Sequence, residues 1–175
     1  MNPPDSPQTQ PPEVSSPPAR VPKLLGHPWH AALVHFPMAA FAAPLPLDVM
    51  GCVTSAPEWW LWSRVIIGVG LAAGLLAGMA GLMDLATIPD HSPASRVGFR
   101  HMVTMVGAIG VFAVDGALRL EQPVPVGGMR VLIVALSALG LAMVLLGGWL
   151  GGELVYRYQI GHQERAPQVQ SREET

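Results

Sequence analysis

Four long apolar runs divide the chain, about Ala31–Val53, Leu61–Ala86, Met102–Leu120 and Met129–Leu150, with short polar breaks between them. As a helix rising about 1.5 Å per residue, each is long enough to cross the ~30 Å hydrocarbon layer of a bilayer. The pattern predicts an all-α, four-helix transmembrane bundle over residues 24–162, forming one domain. Residues 1–23 are rich in Pro, Ser and Gln, with little apolar surface to offset the entropy of ordering, so a disordered tail is expected. That tail lacks a basic start followed by an apolar core, so it does not read as a cleaved secretory signal. Residues 163–175 read as a second, polar tail that is mobile.

Proline and glycine mark where these helices depart from regularity. Pro37, Pro44 and Pro46 fall inside the first run and predict a kinked or loosened helix there, which a membrane bundle tolerates. Gly70, Gly74 and Gly78 recur at steps of four in the second run, and Gly147, Gly148, Gly151 and Gly152 crowd the fourth. Such strips let another backbone approach closely, so helix packing is the expected use; room for a planar cofactor is the alternative.

Composition agrees with the membrane reading: 50% of residues are hydrophobic and 13% are charged, against roughly 25% charged in ordinary soluble domains. The net charge of −2 and the scattered Lys and Arg residues give no basic stripe for nucleic acid. Cys52 is the only cysteine, so no intrachain disulfide can form.

Four crossings put alternate helix ends on the same side. The start of the first helix, the end of the second, the start of the third and the end of the fourth then share a face with both termini. That face receives all six histidines, His27, His30, His35, His91, His101 and His162, together with Asp84 and Glu153. The opposite face receives Asp48, Glu58, Arg64, Asp115, Arg119, Glu121 and Arg130, which read as interfacial anchors, with Asp115 and Arg119 four apart and able to pair. Arg20, Lys23, Arg96, Arg100, Arg157, Arg165 and Arg172 lie on the histidine side, against Arg64, Arg119 and Arg130 opposite. The positive-inside rule therefore places the histidine face and both termini in the cytoplasm.

Ionisable groups inside hydrocarbon cost a few kcal/mol and usually face the bundle interior. His35 lies about 7 Å of helix deeper than His30 and reads as the inward member, with Asp84, His101 and Glu153 as partners from the other three helices. His30 and His35 differ by about 140° around a helix, so the first run does not form a self-contained cluster. Three jobs fit the set: haem b ligation by His35 or His30 with His101; a transition metal held by His30, His35, Asp84, His101 and Glu153; or proton relay through the same groups. The alternative is that these side chains only hydrogen-bond across helices. No nucleophile with its base and no phosphate loop is present in the sequence, so no enzymatic activity is expected.

His27-Pro28, Val34-His35-Phe36-Pro37, Gly81-Leu82-Met83-Asp84, His101 and Gly151-Gly152-Glu153-Leu154-Val155-Tyr156 together resemble the bacterial membrane family catalogued as domain of unknown function 2231. The resemblance covers about Leu25 to His162. It implies an inner-membrane, multi-pass protein in a redox setting, with a separate cytochrome-c-like or Rieske protein as partner, since this chain holds no Cys-x-x-Cys-His and no cluster-binding cysteines. The expectation is a redox-associated subunit binding haem b or a metal at one end of the bundle. A non-enzymatic membrane scaffold and a proton-coupled transporter are the alternatives.

Overall fold

The structure is a computed structural model and describes residues 23–24 and 27–160. Nearly all of both expected tails, and His162, lie outside the described residues. A two-residue antiparallel pairing of β1 (Lys23–Leu24) with β2 (His27–Pro28) leads into the first span. That span runs from Trp29 to Thr54 in three pieces, α1 (Trp29–Leu33), α2 (His35–Ala42) and α3 (Pro44–Thr54). Three continuous helices follow: α4 (Pro57–Leu85), α5 (Pro93–Glu121) and α6 (Gly127–Tyr156). All four spans are long and apolar enough to cross a membrane.

Proline chemistry explains the broken first span. Pro37 and Pro44 have no N–H to give to the carbonyl four residues back, so the helical ladder is interrupted at each. At the second break the Ala43 N–H turns instead to the Ala40 carbonyl, a tighter turn, and Pro44 opens α3, where its missing N–H costs nothing. Ser55, in the left-handed region at φ 57°, closes α3, and Pro57 starts α4 two residues later. Ser92 caps α5 by accepting the Ser95 N–H at 3.0 Å, with Pro93 in the first turn. The apolar run expected from Met102 is therefore preceded by nine helical residues that carry Arg96 and Arg100. His101 does not open this helix, as the hydropathy edge suggested; it sits about 12 Å inside it.

α4 packs against all three pieces of the first span and against α5, while α6 packs against α5 and against α2 and α3. The first span and α5 thus occupy opposite corners and meet only along the bundle axis. Phe41, Ile67, Ala108, Phe112 and Val144 form the core there. Large apolar side chains such as Leu75, Met79, Val131 and Leu145 are exposed on the outside, as a lipid-facing surface requires.

The two halves of the bundle repeat each other. His30, Phe41 and Asp48 in the first span lie 71 residues before His101, Phe112 and Arg119 in α5, the separation of the Asp48–Arg119 contact. One residue fewer separates Gly70, Ala77 and Gly81 of α4 from Gly140, Gly147 and Gly151 of α6. The contacts repeat as well. Each Phe ring lies on its glycine, where a Cβ would stand 2.7 Å from Phe41 at Gly70 and 2.6 Å from Phe112 at Gly140. Two similar helix hairpins running in the same direction are the arrangement of parallel repeats about an axis along the membrane normal. Equivalent residues then meet each other on that axis: His30 with His101, Phe41 with Phe112, and Asp48 with Arg119.

Candidate functional site

At one end of the axis the imidazoles of His30 and His101 face one another, with ring centroids 6.2 Å apart and planes at 82°. Each ring is fixed by the hairpin it belongs to. His30 Nδ1 donates to the Ala77 carbonyl of α4 at 2.9 Å, and His101 Nδ1 donates to the Gly147 carbonyl of α6 at 2.8 Å. A carbonyl only accepts, so in the neutral imidazole Nδ1 carries the proton and Nε2 keeps its lone pair. The same glycine strips make room for the rings: a Cβ would stand 2.8 Å from His30 Cε1 at Gly81 and 3.2 Å from His101 Cε1 at Gly151. Close approach of side chains explains Gly70, Gly81, Gly140 and Gly151, whereas Gly78 has nothing within 4 Å.

His35, expected as the inward-facing member, is exposed and turned away from the axis. Only one of two positions 140° apart can face the bundle centre, and His30 takes that place because its Nδ1 reaches the Ala77 carbonyl. Glu153 is likewise drawn off: its Oε1 accepts from Arg157 Nη1 at 2.9 Å along α6, an exposed pair. Asp84 is half-buried near the end of α4, and its backbone carbonyl accepts from the Thr87 hydroxyl at 2.7 Å. His91 is exposed in the α4–α5 connection at φ 61°. Among the described residues, no three His, Cys, Asp or Glu side chains gather around a point where a metal ion would sit. Of the five side chains expected as donors, the structure brings the His30 and His101 rings together, while His35 is exposed and Glu153 is paired with Arg157.

Toward the other end lies a second polar centre that reading these residues as surface anchors missed. Asp48, Asp115 and Ser137 are fully buried and Arg119 is 1% exposed. Arg119 grips Asp48 in a two-pronged contact, Nη1 to Oδ1 at 2.8 Å and Nη2 to Oδ2 at 2.7 Å. It also reaches Asp115 from Nε to Oδ1 at 3.0 Å and from Nη2 to Oδ2 at 3.1 Å. Ser137 Oγ stands among all three, 2.7 Å from Asp48 Oδ2, 3.0 Å from Asp115 Oδ2 and 3.0 Å from Arg119 Nη2. The anchoring role suits the neighbours better: Glu58 and Glu121 are exposed, Arg64 donates to the Arg119 carbonyl, and Arg130 donates to the Pro125 carbonyl and lies 5.9 Å from the Trp60 ring.

Between the two polar centres, Phe41 and Phe112 stack with centroids 4.3 Å apart and planes within 4°. On α5, Phe112 is 11 residues, about 16 Å, from His101 and one turn short of Asp115. The axis therefore carries an imidazole pair at one end, an aromatic plate in the middle and a charged knot at the other end.

Residues 26–164 match the family described as Predicted membrane protein (DUF2231). No curated protein and no solved structure matches the chain.

Proposed function

We propose that this chain, which belongs to the DUF2231 family of predicted membrane proteins, is a redox-associated membrane subunit in which His30 and His101 are paired ligands of a transition-metal ion. The observation that carries the reading is the pair itself. Two imidazoles come from opposite corners of the bundle, and each is held through Nδ1 by a backbone carbonyl, which is how ligating histidines are usually oriented and their free nitrogen made more basic. With metal–nitrogen bonds of about 2 Å, two imidazoles bound to one ion would have ring centroids at most about 6 Å apart, close to the 6.2 Å here. A site made of protein side chains alone needs four ligands, whereas haem iron already carries its porphyrin nitrogens, so haem b would suit a donor set of two imidazoles, His30 and His101. When bound, such a centre supplies one-electron chemistry; His30 and His101 would hold it, and the helices around them would keep it from bulk water.

The reading extends to a bacterial inner membrane with the histidine end at the cytoplasmic face, on the strength of the basic-residue bias. The family resemblance supports a cytochrome-c-like or Rieske protein as its electron partner. The test is to purify the full chain in detergent and record its visible spectrum and metal content. Stoichiometric metal that is lost in His30→Ala and His101→Ala but kept in His35→Ala supports the reading. Metal-free protein, or metal kept in both axis variants, overturns it.

The buried Asp48–Arg119 contact and the Phe41–Phe112 stack favour a second reading, a membrane scaffold whose polar groups lock one hairpin to the other. On that reading His30→Ala lowers stability with no change in metal content. Proton-coupled transport through the histidines is a third reading, and the aromatic plate separating the two polar centres counts against it. Proton flux into liposomes that is lost in Asp84→Asn would favour it.

A further inference from the structure

One acid sets the second half of the bundle apart from the first. The contact related by the repeat, Asp48 with Arg119, is by itself a neutral ion pair with both prongs satisfied. Asp115 and Ser137 are additions in the second half only. Their counterparts in the first half, 71 and 70 residues earlier, are Pro44 and Ile67, both buried and apolar. Joining the halves therefore does not require Asp115, and with every group ionised it leaves the buried knot with two negative charges and one positive.

The knot also has fewer protons than close polar contacts. Ser137 Oγ and Arg119 Nη2 take part in five close contacts: Ser137 with Asp48, Asp115 and Arg119, and Nη2 with Asp48 Oδ2 and Asp115 Oδ2. The hydroxyl has one proton and Nη2 has two, so three protons face five contacts. The shorter 2.7 Å contact draws the Ser137 proton to Asp48, which also holds both prongs of the guanidinium. Nothing is then left to fill the 3.0 Å contact between Asp115 Oδ2 and Ser137 Oγ unless Asp115 brings its own proton.

We infer that Asp115 holds a proton inside the membrane, donating it to Ser137 Oγ, which in turn donates to Asp48. The knot is then electrically neutral, as burial in hydrocarbon favours. The charged and polar side chains around it come from every neighbouring element: Asp48 on α3, Arg64 on α4, Arg119 on α5 itself and Ser137 on α6. Arg64 is another cation nearby, but it donates to the Arg119 backbone carbonyl at 3.4 Å and is only partly buried, so it stands at the edge of the knot. The inference does not depend on a metal at the histidine pair.

Infrared spectroscopy of the full chain in lipid vesicles at neutral pH tests it, using the carbonyl stretch of an un-ionised carboxylic acid and its downshift in D2O. The wild type is expected to show that band. Asp115→Asn and Asp48→Asn should each abolish it, because either leaves one acid facing one guanidinium. Ser137→Ala, which removes the proton's acceptor without removing an acid, should move the band, and Asp84→Asn should leave it in place. A wild-type spectrum without the band, or a band that survives either Asp48→Asn or Asp115→Asn, overturns the inference.

Discussion

Removing the guanidinium from the buried knot is the sharpest test of what holds the two hairpins together. Arg119 makes five close polar contacts, four with the carboxyl groups of Asp48 and Asp115 and one with Ser137. Counted as charge-assisted bonds of a water-soluble protein, the four to carboxylate would total about 6–12 kcal/mol. That is too much for a membrane protein, because the carboxyls can take up protons and polar groups in the unfolded, inserted chain also find partners. Polar contacts inside membranes average about 0.6 kcal/mol each, and five of them come to about 3 kcal/mol. This agrees with the low end of the about 3–5 kcal/mol for breaking a buried pair from one side. Arg119→Met should therefore destabilise the protein by about 3 kcal/mol. Arg119→Lys, which keeps the charge but loses the planar fork, should fall between it and the wild type. The assay is reversible unfolding in mixed micelles by titration with a denaturing detergent, followed by tryptophan fluorescence. A loss below about 1 kcal/mol for Arg119→Met would refute the claim that this knot joins the halves.

Other outcomes follow from the same geometry. Gly140→Val places a carbon where Phe112 lies, at 2.6 Å, and should cost about 1–3 kcal/mol in the same unfolding assay, whereas Gly78→Ala meets nothing within 4 Å and should stay within about 0.5 kcal/mol. Exchanging the charges in Asp48→Arg with Arg119→Asp keeps one cation and two acids on the axis, so the double variant should be more stable than either single variant. Arg157→Ala breaks an exposed pair with Glu153 and should change stability by less than about 1 kcal/mol, with a difference that shrinks as salt is added.

The spans were legible because a membrane crossing needs only length and hydropathy, which Leu61–Ala86 and Met129–Leu150 display without reference to any partner. Their polar ends were less legible, since the first turns of α5 carry Arg96 and Arg100 and are held by the Ser92 cap, not by apolarity. In the first span, depth along the helix favoured His35 over His30, yet depth says nothing about direction, and the two positions point 140° apart. The choice between them rests on a hydrogen bond to Ala77, 47 residues away. The charged knot was harder still, because Asp48 and Arg119 each lie near the end of an apolar run, where single charges normally mark the interface. A signal was present all the same: His30, Phe41 and Asp48 recur as His101, Phe112 and Arg119 at the same spacing. A repeat of that kind implies that the chain folds as two similar halves, and residues on the axis between such halves meet their own counterparts.

X-ray absorption at the metal edge of the purified full chain tests most directly whether His30 and His101 bind one ion. Two imidazole nitrogens at about 2 Å in the wild type and in His35→Ala, with the metal edge itself lost in His30→Ala and in His101→Ala, are the expected result. A wild-type protein with no metal edge at stoichiometric intensity, or a shell that keeps both imidazoles when either axis histidine is removed, would contradict it.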